Sequence, residues 1–462
     1  LVDPGMGKQN MIQCLADAKP EGVVGIPLAQ VARWIYRKKL GACKLNFVVG
    51  SRWWPGCVAT QSFEALNANE FDPLSHSRET DAAIIFTTGS TGPPKGVLYR
   101  HRNFLEQAEQ IRDYFDIRPG SVDVSGFPLF ALFNCAMGTT TVFPKMDATR
   151  PADVDPLDIS DAINRFQATQ SFGSPALWNT VAGYASQNDI RFPSVKMVLS
   201  AGAPVPPHVL QKIEQVIGDD GRAYTPYGAT EALPVACNCS SEVLGETAEQ
   251  TNLGMGTCVG KRFPKMDWKV IEITDDPISK IDNVIELPRE EIGELIVRGP
   301  VVTDQYVTRT EANADHKIKD SKSQSTSYWH RMGDVGYIDS QDRFWFCGRK
   351  SHRVITSDGT VFTVVVEAIV NTHPRIYRSG LVGIGQYGFQ LPVVVAEPWP
   401  EFWTDDPIEQ QSIKDEILQI CQQNTKSKMI QQVLLKKALP VDIRHNSKIF
   451  REQLVDWARE RC

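Results

Sequence analysis

Short runs of β-branched and aromatic residues alternate along the chain with longer stretches in which apolar residues recur every three or four positions. "AAIIF" (82–86), "VKMVLSAG" (195–202) and "WKVIEI" (268–273) are strand-length and largely apolar, whereas "VPPHVLQKIEQVIG" (205–218) has helical spacing. Apolar strands alternating with helices predict an α/β architecture with largely parallel sheet. From "GELIVRGP" (293–300) through "MGDVGYIDSQDRFWFCGRK" (332–350) apolar residues alternate and turn pairs intervene, which predicts antiparallel hairpins. Between them "TEANADHKIKDSKSQSTS" (310–327) is polar and poorly periodic and reads as an exposed connection. Beyond Lys350, strands are expected in "RSGLVGIG" (378–385) and "LPVVVAEP" (391–398), with a helix near 408–424. The simplest partition is a large N-terminal body, residues 1–349, and a small C-terminal lid, residues 350–462.

Size and charge narrow the class. A chain of 462 residues exceeds one ordinary core, and at about 150 residues per domain it predicts two to four cooperating units. A net charge of -6 offers no concentrated basic face, which excludes a general nucleic-acid binder. Ten cysteines occur, none at the two-residue spacing of a zinc or redox motif, so reduced structural thiols are expected. No stretch approaches the roughly 18 apolar residues that cross a bilayer, and the start has no basic-then-apolar signal region. A cytoplasmic enzyme with no integral membrane segment fits this pattern. The opening "LVDPGMG" reads as a strand end running into a turn, from which a missing beginning is expected.

The chemistry is concentrated first in "FTTGSTGPPKGVLYRH" (86–101). Phosphate loops turn backbone N–H groups toward the anion, and glycine supplies both the dihedral freedom and the close approach. Gly89, Gly92 and Gly96 meet that need, the hydroxyls of Thr87, Thr88, Ser90 and Thr91 add donors, and Lys95 adds charge. The order differs from a Walker A loop because glycine, not Ser or Thr, follows the lysine. On local chemistry alone, a plain Gly/Pro turn between strand and helix is the alternative.

"TTGSTGPPKG" (87–96) resembles the phosphate loop of the adenylate-forming superfamily, which includes acyl-CoA ligases, luciferases and peptide-synthetase adenylation domains. Further matches follow in that superfamily's order: "SAGAPV" (200–205), "YTPYGATEA" (224–232), "RMGDVGYID" (331–339), "GRK" (348–350) and "NSKIFR" (446–451). The resemblance implies activation of a carboxylate by joining it to AMP, with ATP and Mg²⁺ required. Two anions must meet, which demands cation and dipole stabilisation in a dry pocket. By resemblance, Thr87, Thr88, Gly89, Ser90, Thr91, Gly92 and Lys95 hold the departing pyrophosphate. Gly202, Ala203, Pro204, Tyr227 and Gly228 surround the nucleotide, and Asp334 and Arg349 reach the ribose. Thr230 bonds the α-phosphate, and Glu231 holds Mg²⁺, a hard cation suited to oxygen ligands. Lys448 arrives with the lid and bridges carboxylate, α-phosphate and ribose oxygen as the catalytic lysine. Phe127, Phe130, Phe133 and Trp178 are candidates for an acyl pocket, although phenylalanines three apart also fit core packing. The implied fold is an α/β body of mostly parallel layered sheets plus a small β-barrel-like subdomain, with a mobile α+β lid.

Two departures refine the resemblance. The usual hinge continues Gly-Arg-x-x-Asp, whereas "GRKSHRVITSDGTVFTVVVEA" (348–368) has His352 where the acid is expected, and the Ser-Gly-Lys ending becomes "RHNSKIFRE" (444–452). With "FPLFALFNCAMGTTTVFPKMDATRPADVDP" (127–156), "HPRIYRSGLVG" (373–383) and "VDPGMG" (2–7), these variations resemble the β-lactone synthetases of bacterial olefin biosynthesis. That branch implies a long-chain 2-alkyl-3-hydroxy acid whose own β-hydroxyl attacks the adenylate, giving a β-lactone, AMP and pyrophosphate. It also implies an assembly with a hydrolase and a reductase. The base for the hydroxyl is not assigned: His352 and His445 lie close to the hinge and lysine motifs, and a purely structural role is the alternative for each. The alternatives are an acyl-CoA or acyl-carrier ligase forming a thioester, and a non-catalytic assembly subunit whose incomplete first layer exposes sheet edges.

Overall fold

A computed structural model of the chain describes residues 2, 6–41, 43–51, 53–65, 75–87, 93–320, 322, 328–442 and 448–462. The chain divides into two compact units, Leu1–Phe104 with Thr303–Asn313, and Leu105–Val302 with Ala314–Cys462. Among the described residues no helix is long and apolar enough to cross a membrane.

The first unit holds two small sheets. β1 (Gly22–Gly25), β2 (Leu45–Val48) and β3 (Val58–Ala59) run parallel in that order. β4 (Asp81–Phe86) and β5 (Gly96–Arg100) form an antiparallel pair that ends on Phe86 opposite Gly96. Val97 and Tyr99 of β5 pack with Tyr306 and Ala312 in a buried cluster, which fixes the strand pair from one side.

The second unit is built on one continuous sheet. Its parallel part is β6 (Val122–Ser125), β7 (Thr140–Val142), β8 (Gln170–Gly173), β9 (Met197–Ser200) and the first half of β10 (Arg222–Ala229), in the order β7-β6-β8-β9-β10. The register aligns Ser125, Phe172, Leu199 and Tyr224 in one row, so the carboxyl ends of four strands open together. The crossover helices Pro156–Arg165 and Pro175–Gln187 begin with proline and are capped by the side chains of Asp155 and Ser174. These residues supply the fixed first dihedral and satisfy an orphan N–H at the helix start. Helix Pro207–Val216 buries Val209, Leu210, Ile213 and Val216, the face its spacing predicts. All three pack on a core containing Trp178, Phe192 and Val198.

From β10 onward the sheet turns antiparallel through β11 (Ala232–Cys239), β12 (Thr257–Arg262), β13 (Asp267–Ile271), β14 (Gly293–Arg298), β15 (Lys317–Lys319), β16 (Tyr328–Ile338) and β17 (Arg343–Arg349). The order is β10-β11-β12-β17-β16-β14-β13, with β15 on β16. Parallel pairing therefore ends at β10, because the two-residue β10–β11 connection can only return the chain antiparallel. The structure corrects the exposed connection expected at 310–327. Residues Ala312–His316 form a short helix, and Lys317–Lys319 pair with β16. Ile318 is fully buried among Ile271, Ile296 and Trp329. A three-residue edge strand is too short for its period to show in sequence. Residues 321 and 323–327 of that stretch lie outside the described residues.

Residues after Lys350 belong to the second unit and carry two buried clusters of their own. β18 (Val354–Thr356) and β19 (Gly359–Val361) form a hairpin, β20 (Ile376–Ile384) and β21 (Leu391–Pro398) pair antiparallel, and β22 (Gln432–Leu435) lies parallel to β21. Helices Thr363–Val370 and Pro407–Gln423 pack on them.

A buried ion network joins this region to the large sheet. Arg331 donates from Nη2 to Glu294 Oε2 at 2.6 Å and from Nε to both Glu294 oxygens at 3.2 Å, and both side chains are only 1% exposed. Lys350 Nζ reaches the same Glu294 oxygen at 3.2 Å and the Thr274 carbonyl at 3.0 Å. Removing one member leaves buried cations without an anion. Glu294→Ala is therefore expected to destabilise the fold by about 3–5 kcal/mol, read as a lowered urea midpoint. An unchanged midpoint would show that the network contributes nothing net.

Candidate active site

β16 and β17 place Asp334 directly opposite Arg349. Arg349 Nη1 donates to Asp334 Oδ1 at 2.5 Å and to the Met332 carbonyl at 3.2 Å. The other carboxylate oxygen, Oδ2, accepts from the Tyr227 hydroxyl. The Asp334 side chain is 5% exposed and the Arg349 side chain 40%, so the carboxylate is shielded from water while its partner stays partly open. The Asp334 charge and, beside it, Tyr227 and Glu231 hold the Arg349 guanidinium well above its ordinary range. Burial first, and the Asp334 carboxylate next, push the Tyr227 phenol well above its own. Tyr227 sits on β10, which β11, β12 and β17 separate from β16. A flat sheet would put those strands about 19 Å apart at about 4.8 Å per strand. The Tyr227–Asp334 contact therefore requires the antiparallel part to curl back on itself, the curvature expected of a barrel-like subdomain.

Thr230 and Glu231 form the tip of the β10–β11 hairpin, between paired Ala229 and Ala232. The ladder shifts between Tyr227 and Ala229. A Cβ on Gly228 there would stand 2.7 Å from the Ala232 carbonyl oxygen, so the shift needs glycine. Gly202, Ala203 and Pro204 lie in the loop leaving β9, with Gly202 at φ +97°. They share the carboxyl edge of the parallel strands with Tyr227, the edge at which open α/β sheets bind ligands.

Lys448 is presented by a loop with a closed neck. Val441 bridges Ile449, the Phe450 N–H reaches the Pro440 carbonyl at 2.8 Å, and Asp442 grips Lys448 twice. The Lys448 N–H donates to Asp442 Oδ1 at 2.9 Å, and the Asp442 N–H donates to the Lys448 carbonyl at 3.0 Å. Upstream, the Leu439 N–H donates to Glu397 Oε2 at 2.7 Å, and Arg378 holds that carboxylate. Burial and then the Arg349 guanidinium hold the Lys448 ammonium below its usual range, against the pull of Asp442 and Asp334. Lys448, Arg349, Asp334, Tyr227 and Glu231 thus share one electrostatic neighbourhood. Sequence reading missed Asp442; an Asx side chain six residues before the lysine, at the neck of a turn, was the available signal.

His352 closes the turn Lys350–His352 immediately after Arg349. Burial first, then Arg451, Arg349 and Lys448, push its imidazole down to about 3. His445 lies outside the described residues.

In the first unit, Thr87 and Lys95 close the neck of the glycine-rich loop. The Thr87 N–H donates to the Lys95 carbonyl at 3.0 Å, and the Lys95 N–H donates to Thr87 Oγ1 at 3.1 Å. The Gly96 N–H reaches Thr308 Oγ1 at 2.8 Å, and Lys95 Nζ stands 5.2 Å from the Tyr306 ring centre. Thr88, Gly89, Ser90, Thr91 and Gly92 lie outside the described residues.

The acyl-pocket candidates separate into two kinds. Phe127 and Phe130 are partly exposed, and Phe130 stacks on Phe172 at 3.6 Å between centroids. Phe133 and Trp178 are buried; the Trp178 indole is fully enclosed in the core behind Gly173. Beneath helix Phe130–Met137, Asn134 Nδ2 donates to Asp123 Oδ2 at 2.7 Å, and burial pushes the Asp123 carboxyl up to about 7. The folded state thus keeps this proton where the unfolded chain has lost it. Stability falls as pH rises from the ordinary carboxylate range to about 7. Asp123→Asn removes that loss and is expected to raise stability more at pH 8 than at pH 4, by roughly 2–4 kcal/mol. Equal effects at both pH values in chemical denaturation would contradict this.

This arrangement defines a nucleotide-activating enzyme, and comparison with known proteins agrees. The family model for AMP-binding enzymes matches residues 1–307, and the chain belongs to that family. Over all 462 residues it is 44% identical to the olefin beta-lactone synthetase of Xanthomonas campestris pv. campestris, covering 82% of that protein. It is 43% identical over 460 residues to the olefin beta-lactone synthetase of Stenotrophomonas maltophilia, covering 99% of this chain and 81% of that one. Among solved structures, ATP-bound MatB from Rhodopseudomonas palustris shares the fold, with a TM-score of 0.72 at 19% identity over 97% of this chain and 81% of that chain.

Proposed function

We propose that this chain is an ATP-dependent β-lactone synthetase. It activates a long-chain 2-alkyl-3-hydroxy acid as its acyl-adenylate, and the substrate's own β-hydroxyl then closes the ring, releasing AMP. The observation that supports this reading is the buried Asp334 carboxylate held by Tyr227 and Arg349, in a chain 44% identical over its full length to an olefin beta-lactone synthetase.

Asp334, held by Tyr227 and Arg349, keeps lone pairs for the ribose hydroxyls. Thr230 bonds the α-phosphate from the hairpin tip. A substrate carboxylate oxygen attacks the α-phosphorus and pyrophosphate departs, while the Lys448 ammonium stabilises the charge that gathers between carboxylate and phosphate. Among the described residues no group of three His, Cys, Asp or Glu could hold a metal ion. That fits Mg²⁺, which takes one or two carboxylates and completes its shell with phosphate oxygens and water. Glu231 is the residue that would hold it, and the cation would neutralise the phosphates. Residues 350–462 act as the lid that carries Lys448 and keeps water from the adenylate. All ten cysteines are free, which suits a reducing cytoplasm. The reaction needs one enzyme to make the hydroxy acid and another to consume the lactone, the place we assign to a reductase and a hydrolase.

Incubation with racemic 2-alkyl-3-hydroxy acids, ATP and Mg²⁺ is expected to give AMP and a product one water lighter than the acid by mass spectrometry. Product that appears only with a thiol acceptor would establish a thioester ligase instead. Lys448→Ala is expected to lower adenylation about 100-fold or more while ATP binding persists. Full pyrophosphate exchange by that variant would remove Lys448 from the mechanism.

A further inference from the structure

We propose that Asp442 is a positioning residue for adenylate formation, its side-chain oxygen fixing the backbone from which Lys448 reaches the reacting groups; this rests on the role given to Lys448 above. Antiparallel rungs join the chain on either side of residues 443–447, which lie outside the described residues. The Phe450 N–H donates to the Pro440 carbonyl at 2.8 Å, Val441 bridges Ile449, and the Asp442 N–H donates to the Lys448 carbonyl at 3.0 Å. In an antiparallel ladder bonded and non-bonded pairs alternate, and a bonded pair exchanges two main-chain hydrogen bonds. Proline has no N–H, so its rung carries one. The Asp442–Lys448 rung carries two, but the second is not a main-chain bond. The Lys448 N–H donates to Asp442 Oδ1 at 2.9 Å, so the side chain has taken the place of its own carbonyl as acceptor.

Asp442 therefore engages both polar groups of the Lys448 main chain. The base of the neck is anchored without it. Val441 and Ile449 pack against the cluster of Val382, Val393 and Leu454, and the Leu439 N–H is held by Glu397 Oε2 at 2.7 Å. Asp442 carries that anchorage one rung further, to the lysine itself. A lysine ammonium sits at the end of a flexible stem, so its reach depends on where its backbone is held. A misplacement of about 1 Å can cost a reaction about 100-fold. Burial and then Arg349 lower the Lys448 ammonium, and the Asp442 carboxylate opposes them. The acceptor oxygen is nonetheless the feature that fixes the backbone, and an amide side chain also offers one. A residue without a side-chain acceptor would leave the Lys448 N–H without this partner.

The test uses the full chain with Asp442→Ala, Asp442→Asn, Lys448→Ala and the Asp442→Ala, Lys448→Ala pair, read by acid-dependent ATP–pyrophosphate exchange and thermal melting. In Asp442→Ala the maximal exchange rate is expected to fall about 10- to 100-fold, with KM for ATP within about twofold of wild type and melting unchanged. Asp442→Asn keeps an oxygen acceptor and is expected to restore exchange to within about threefold of wild type. On the Lys448→Ala background, Asp442→Ala is expected to add less than about twofold, because a residue that acts through Lys448 has nothing left to place. A general structural role would instead cost both backgrounds equally. Wild-type exchange in Asp442→Ala would overturn the assignment. So would an Asn variant as poor as the Ala variant, an undiminished further loss on the Lys448→Ala background, or a loss of exchange that follows a lowered melting temperature. If Lys448→Ala itself exchanges at the wild-type rate, or the wild-type chain shows no acid-dependent exchange, the reading of Lys448 or of the chain fails, a result distinct from these.

Discussion

The second unit depends on a single carboxylate. Asp334 is nearly sealed from water, and an isolated buried charge would be untenable. It is held because β17 delivers Arg349 opposite it and the curled sheet delivers Tyr227 from four strands away. The constraint works in both directions. The charge needs those partners, and the same curvature brings Glu231, at the tip of the β10–β11 hairpin, into the field of Arg349. Site geometry and sheet geometry are thus one problem solved by one residue.

The same strand end governs the chain beyond it. Arg349 closes β17, and within four residues the backbone is tied down again, by Lys350 to Glu294 and by Arg353 to Asp275 at 2.6 Å. At the far side Lys426 Nζ reaches the Gly254 carbonyl at 3.1 Å, and Asn424 Nδ2 reaches the Leu253 carbonyl at 3.2 Å. Between these ties, Glu397 and Asp442 shape the loop that bears Lys448. Lys448 is therefore placed by contacts distributed over residues 350–450.

Much of this was legible in the residues. "AAIIF" and "LPVVVAEP" became β4 and β21, and the spacing of "VPPHVLQKIEQVIG" became the helix Pro207–Val216, because each buries the face its period marks. The ordered motifs identified Tyr227, Asp334 and Arg349, which do meet. What sequence could not show arises from long-range closure. Glu294 and Arg331 are 37 positions apart and look like surface charges until β14 and β16 pair. The edge strand at 317–319 is polar in composition, yet its Ile318 is buried with Trp329. Trp178 seemed available to a ligand and is enclosed behind Gly173, because its helix turns that face to the core.

The charges of the site oppose one another in the protein itself. Burial and then the Arg349 guanidinium hold the Lys448 ammonium below its usual range, while Asp442 and Asp334 pull the other way. Two cations that disfavour each other are a poor arrangement for stability alone. Under the reading proposed above, an anion entering between them would relieve that repulsion, so that binding of the anionic substrate and placement of Lys448 would favour one another.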